Sequence, residues 1–270
     1  MINVVEDLTK KVFNSDVKNT LDSGSFGIEK ESLRVSQSTI SKRSHQTSMG
    51  SSLCHRYITT DFSEAQLELI TPPVVDKKKG LIFLENIHHF VSHNIDDEII
   101  WPLSMPPLIQ SDEDIPIASY GSSNLGLFKT TYRNGLSHRY GRTMQAISGI
   151  HFNYSLPEEI WETSLFDREK TVSKNLKGAI YFRTLRNLHR MNWLILYFLG
   201  ASPVVTKNFL KNNHSGFQKL NNHKLLAVVP RKGYILASKL SHFLSHLSTT
   251  TLVDLCNLLH VFFRLLVVLS

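Results

Sequence analysis

The sequence predicts an α+β fold, with strands and helices following one another irregularly, and two patterns carry that reading. Side chains of unlike character alternate at a two-residue period through 27–35, 64–70 and 148–156, as they do on strands with two different faces. Apolar residues recur at three- and four-residue spacing through 7–21, 80–94 and 178–199, as they do along one side of a helix. Prolines separate these runs, at Pro72-Pro73 and through Trp101-Pro102-Leu103-Ser104-Met105-Pro106-Pro107.

In chain order, Leu8, Val12 and Val17 give a modest amphipathic helix over 7–21. The segment 27–35 reads as a strand with Glu29, Glu31, Leu33 and Val35 on one face and Ile28, Lys30, Ser32 and Arg34 on the other. From Val35 to Ser52 the chain is rich in Ser, Thr, Lys and Gly and lacks apolar periodicity, so a surface loop or weak hairpin is expected. Tyr57 to Thr71 reads as a turn holding Asp61, then a strand with Glu64, Gln66, Glu68 and Ile70 on one face, ended by the prolines. Leu81, Leu84, Ile87, His88 and Val91 mark a helix over 80–94. Tyr120 to Gly126 is a turn, and Lys129, Arg133, Arg139 and Arg142 follow on a basic helix. In 148–156, Gly149, His151, Asn153 and Ser155 share one strand face, and 178–199 is a long apolar helix stopped by Gly200 and Pro203.

The charge is distributed unevenly. Residues 1–170 hold 17 Lys and Arg against 22 Asp and Glu, whereas 171–270 hold 13 against one, Asp254. The formal net charge of +7 therefore comes from the second part, and it does not mark the acidic first part as a nucleic-acid binder. Cys54 and Cys256 lie too far apart for a CxxC pair, which removes a disulfide framework and a zinc-finger spacing. The acidic N-terminus lacks a basic region followed by an apolar one, so a cytoplasmic protein is expected. Leu252 to Leu269 is apolar, but Asp254, His260 and Arg264 interrupt it, and no membrane segment is expected.

Two chemistries fit the alternating acids. Side chains two apart on a strand lie roughly 6.5–7 Å apart on one face, so Glu29 and Glu31 suit two cations in a polar cleft, with Asp61, Glu68 and His151 close by on neighbouring strands. Carboxylate oxygens select hard ions such as Mg²⁺ or Mn²⁺. Alternating Glu residues on an antiparallel strand describe a solvated face equally well, a single His is more often structural, and spacing alone does not decide between the two.

The blocks Gly27-Ile28-Glu29-Lys30-Glu31-Ser32-Leu33-Arg34-Val35, Tyr57-Ile58-Thr59-Thr60-Asp61-Phe62-Ser63-Glu64, Leu67-Glu68-Leu69-Ile70-Thr71-Pro72, Trp101 to Pro106, Tyr120-Gly121-Ser122-Ser123-Asn124, Phe128 to Arg133, Arg139-Tyr140-Gly141, Met144 to Pro157 and Gly200-Ala201-Ser202-Pro203 resemble, in this order, the proteobacterial type of glutamate-cysteine ligase. The resemblance spans roughly residues 20–210 of a family about twice this long. It implies a fold similar to glutamine synthetase, a curved, mainly antiparallel sheet with flanking helices, of which this chain holds the N-terminal half. It also implies a reaction: the glutamate γ-carboxylate attacks the γ-phosphate of ATP, and the cysteine amine captures the γ-glutamyl phosphate, the first step of glutathione biosynthesis.

By the same resemblance, Glu29, Glu31, Asp61, Glu68 and His151 correspond to ligands of Mg²⁺ or Mn²⁺, Tyr132, Leu136 and Gln145 line the amino-acid pocket, and Arg133 assists catalytically at carboxylate or phosphate. The partners implied are L-glutamate, L-cysteine and ATP, with no nucleic acid and no membrane, acting on a monomer. Residues 1–221 are expected to form the N-terminal part of the catalytic domain and 222–270 a divergent tail, out of frame with the family. The alternative is an inactive, truncated remnant that keeps at most metal or nucleotide binding.

Overall fold

A computed structural model describes residues 10, 14–163, 173–199, 204–206, 209, 217–220 and 225–228. It has the expected α+β architecture: an open antiparallel sheet with helices against it. Strand β1 (Ser25–Ser36) is its spine, and β2 (Thr39–Ile40), β3 (Ile58–Thr60), β4 (Gln66–Ile70), β5 (Ile99–Ile100) and β6 (Ile150–Ser155) complete the six strands. Along one edge β1 pairs with β4, Glu31 opposite Glu68, and along the other with β6, Glu29 opposite His151. β3 continues outward from β4 with Thr59 opposite Glu68. Every pairing is antiparallel, so the two-residue alternation read from the sequence is carried coherently across neighbouring strands.

Alternation gives the sheet two unlike faces. Phe26, Ile28, Leu67 and Leu69 form one core with Leu81, Leu84, Ile87 and Val91 of helix α3 (Lys77–Asn94). The helix begins where Asp76 accepts from the backbone N–H groups of Lys78 and Lys79, an N-cap directly after the prolines that end β4. Leu33 and Val35, on the face of the acids, enter a second core with Phe62, Ile115 and Ala146. In a third, Val17 and Leu21 of helix α1 (Ser15–Asp22) meet Leu156, Ile160, Trp161 and Ile180, the last from helix α6 (Lys174–Leu199).

Several boundaries differ from the sequence reading. Tyr57–Thr71 is two strands and a tight turn, because Asp61 N–H bonds to Gln66 O and Gln66 N–H to Ser63 O, folding the segment back on itself. The stretch 35–52 is only partly a surface loop. It holds a two-residue hairpin whose turn residues Gln37 and Ser38 have φ 47° and 66°, a short helix α2 (His45–Met49), and the buried side chains of Ser41 and His45. Helices α4 (Asn124–Tyr140) and α5 (Arg142–Gln145) carry the basic residues, and Gly141, with φ 78°, separates them. A second sheet joins β7 (Val204–Thr206), β8 (Phe217–Leu220) and β9 (Leu225–Val228), with β9 in the middle. Leu8 and Val12 of the first predicted helix, and the apolar stretch 252–269, lie outside the described residues. Among the described residues no helix is long and apolar enough to cross a membrane.

A buried polar network joins the loops behind the sheet. Arg34, fully buried, pairs through Nη1 with Glu98 at 2.7 Å and donates from Nη2 to the carbonyls of Arg43 and Glu64 at 2.7 and 3.0 Å. Glu98 also accepts from Ser41 Oγ. The Glu64 carboxylate accepts from His45 N–H, Ser44 Oγ and Ser119 N–H. Glu64 is thus committed to structure and not to the row of acids with which its spacing grouped it.

Candidate active site

The acid-bearing face is built outward from β1. Glu29 and Glu31 project from its middle, Glu68 stands opposite Glu31 on β4, His151 opposite Glu29 on β6, and Asp61 sits in the turn after β3. The Glu31 side chain is only 8% exposed and that of Glu29 32%. A solvated face requires exposed carboxylates, which the Glu31 side chain does not offer, whereas Glu29 is half-exposed.

Strand β6 and the Gly149 just before it supply the hydrogen bonds. His151 Nδ1 lies 3.2 Å from Glu29 Oε2 and its Nε2 3.4 Å from Glu31 Oε1. Asn153 Nδ2 donates to Glu29 Oε1 at 3.0 Å, and Gly149 N–H donates to Glu31 Oε2 at 2.9 Å. Burial pushes the Glu31 carboxyl above its ordinary value, against the pull of the Gly149 N–H. Glu68 is pushed up to about 7, first by burial and then by the charges of Asp61, Glu29 and Glu31. The five side chains therefore share one electrostatic environment with too much negative charge for its depth.

That surplus and the oxygen-rich donor set fit a hard divalent cation. The side chains as they stand are not gathered into a cage: among the described residues no three His, Cys, Asp or Glu converge at metal-ligand geometry. Glu29 and Glu31 are each held by donors of β6 and of Gly149 just before it.

Helix α4 borders this face through one stripe. Arg133 Nε donates to the Asp61 carbonyl and its Nη1 to Lys129 O at 3.1 Å. Its guanidinium lies 4.6 Å from the centre of the Tyr120 ring, and Lys129 Nζ lies 5.1 Å from the same ring. The Tyr120 hydroxyl donates to Thr60 O at 2.8 Å and Asp61 O at 3.1 Å, and burial raises its pKa. Leu136 packs against the second core, on the same side of the sheet as the acids. Gln145 is half-buried at the end of α5, and Tyr132 is 58% exposed. The structure thus brings Glu29, Glu31, Glu68 and His151 together, with Asp61 close enough to act on two of them. It ties Arg133 to Asp61 through the main chain. Asn153, Tyr120 and the Gly149 N–H were not singled out from sequence for this site. The two-residue period that placed His151 also placed Asn153 beside it, and was the available signal.

Fold and site define a broad class, an α+β protein with a partly buried acidic cluster on one face of an antiparallel sheet. The glutamate-cysteine ligase family model matches residues 9–240, and the chain belongs to that family. It is 42% identical over 223 residues to the glutamate-cysteine ligase of Alcanivorax borkumensis, covering 82% of this chain and 42% of that protein. It is 44% identical over 205 residues to that of Yersinia pseudotuberculosis, covering 76% and 40%. Among solved structures it resembles the Francisella tularensis glutamate-cysteine ligase in complex with AMP, with a TM-score of 0.66, 37% identity, and 76% and 40% of the two chains covered. It also resembles a bifunctional glutathione synthetase from Pasteurella multocida, with a TM-score of 0.61, 32% identity, and 71% and 25% covered. The chain spans about two fifths of the length of the curated relatives it matches.

Proposed function

We propose that this chain carries the ATP- and cation-binding part of a ligase that joins the γ-carboxylate of L-glutamate to the amine of L-cysteine through a γ-glutamyl phosphate. The buried, mutually coupled carboxylates on the β1 face support this reading most directly, together with membership of the family and the AMP complex of the Francisella tularensis relative. Glu29, Glu31, Asp61, Glu68 and His151 would hold Mg²⁺ or Mn²⁺. When bound, the cations neutralise charge on triphosphate and carboxylate during phosphoryl transfer. β6 holds the Glu29 and Glu31 carboxylates in place, and the Tyr120–Arg133 stack fixes the backbone at Asp61. Leu136, Gln145 and Tyr132 are proposed to line the amino-acid pocket, and Arg133 to assist at carboxylate or phosphate.

A coupled assay for ADP release tests the reaction, with turnover expected only when glutamate and cysteine are both present. Release independent of either amino acid refutes it. The second reading is a remnant that binds cation or nucleotide without turnover. Mn²⁺ and ATP binding with no ADP release would establish that reading. We further propose that the tail, expected from residue 222 and beyond 240 outside the family match, is out of frame. Translating the gene in its other two frames would then recover family sequence, and failure in both ends the idea.

A further inference from the structure

β6 and the Gly149 just before it face the β1 acids with donors at a two-residue spacing, the Gly149 N–H, the His151 ring and the Asn153 amide, against acceptors at the same spacing, Glu29 and Glu31. Both oxygens of Glu29 are engaged, Oε1 by Asn153 Nδ2 at 3.0 Å and Oε2 by His151 Nδ1 at 3.2 Å. The register explains the reach. Asn153 stands opposite Gly27, which has no side chain, so the neighbour available to its amide is the diagonal one, Glu29. An ionised carboxylate only accepts, so the amide presents its NH₂ to Glu29.

We infer that Asn153 is a positioning residue that fixes the Glu29 carboxylate for a divalent cation, an inference that rests on the cation reading above. The amide suits this task because it is neutral. A Lys or Arg in its place would hold the carboxylate equally well but cancel the charge that attracts the ion, whereas Asn153 restrains the group and leaves its charge intact. Without it, Glu29 keeps His151 on one oxygen and is free to rotate about its terminal torsion.

The test is titration of the full chain with Mn²⁺ alone, following free Mn²⁺ by electron paramagnetic resonance. Glu29→Gln is expected to weaken binding, and Asn153→Ala to weaken it about tenfold or more, as removal of a hydrogen bond to a metal ligand does. Asn153→Thr keeps a good strand former but cannot span the diagonal, and should match Asn153→Ala. Both are expected to melt at the wild-type temperature without Mn²⁺, since Asn153 is exposed. In the Glu29→Gln background, Asn153→Ala should weaken binding no further. Wild-type affinity in both Asn153 variants, with Glu29→Gln weakened, overturns the inference and leaves the cation reading standing. An equal loss from Asn153→Ala in both backgrounds also overturns it. Wild-type affinity in Glu29→Gln removes the cation reading and the inference with it.

Discussion

The Arg34 network makes the most demanding prediction about stability. Arg34→Met removes a guanidinium that is fully buried, pairs with a Glu98 side chain only 2% exposed, and donates to two carbonyls, those of Arg43 and Glu64. Breaking a buried pair at one end costs about 3–5 kcal/mol, chiefly because the other charge stays in the interior without a partner. Glu98 would keep only Ser41. The Glu64 and Arg43 carbonyls lose a donor as well, which places the expected loss toward the upper end of that range. Equilibrium urea unfolding of the full chain measures it, with fluorescence of Trp101 and Trp161, which pack in two of the cores, as the signal. If unpaired Glu98 dominates the cost, Arg34→Met/Glu98→Met should recover roughly half of the loss or more. A single variant within about 1 kcal/mol of wild type, or a double variant less stable than the single, would refute the reasoning.

Three further outcomes follow from the geometry. Glu31→Gln should bind Mn²⁺ about tenfold more weakly, while its urea midpoint without metal should not fall, because the substitution relieves repulsion with Glu68 and Asp61; a lower metal-free midpoint would count against the coupling. Gly126→Ala should destabilise by about 1–3 kcal/mol, since its Cβ would stand 2.4 Å from Tyr120 O and 2.8 Å from Gly121 O, backbone atoms with no room to yield; an unchanged midpoint contradicts that. His45, buried with both ring nitrogens lacking a partner, has its pKa lowered from 6.5 to about 4, by burial and then by Arg34. Its folded pKa lies below its unfolded one, so the stability it governs is complete above pH 6.5 and is lost as pH falls toward 4. His88 shifts the same way, so the measurement is the difference in urea midpoint against pH between wild type and His45→Gln, and parallel curves between pH 7 and 4 refute the assignment.

Strands β1, β4 and β6 were legible because each carries a two-residue alternation that the sheet uses directly: hydrophobic residues at Ile28, Leu67 and Leu69 meet the helix, and Glu29, Glu31 and Glu68 occupy the opposite face. Helix α3 was legible for the same reason, its apolar stripe being its core face. The Arg34 network was not legible. Its partners lie 9, 30 and 64 residues away, and two of them are backbone carbonyls, which have no side-chain identity to read. Glu64 shared the spacing of Gln66 and Glu68, but the turn closed by Gln66 N–H and Ser63 O begins the strand after it and turns it toward His45 and Ser119. Periodicity assigns a residue to a face only while the strand continues.

The same limit explains why the acid pair remained open at the sequence level. Alternation says that Glu29 and Glu31 share a face, but not whether that face is wet. Burial decides it, and burial depends on what lies beside β1. Among the described residues, the ion pairs set Lys or Arg against Glu98, Asp96, Asp97, Asp114 and Glu158, but only His151 against Glu29 and Glu31. A partly buried carboxylate cluster with no Lys or Arg paired to it raises its own proton affinity, as Glu68 does. Had the face served stability alone, a buried Arg of the kind that satisfies Glu98 on the opposite face would have satisfied it too. The chain instead holds these carboxylates with an amide, a peptide N–H and an imidazole, the arrangement that the proposed cation site calls for.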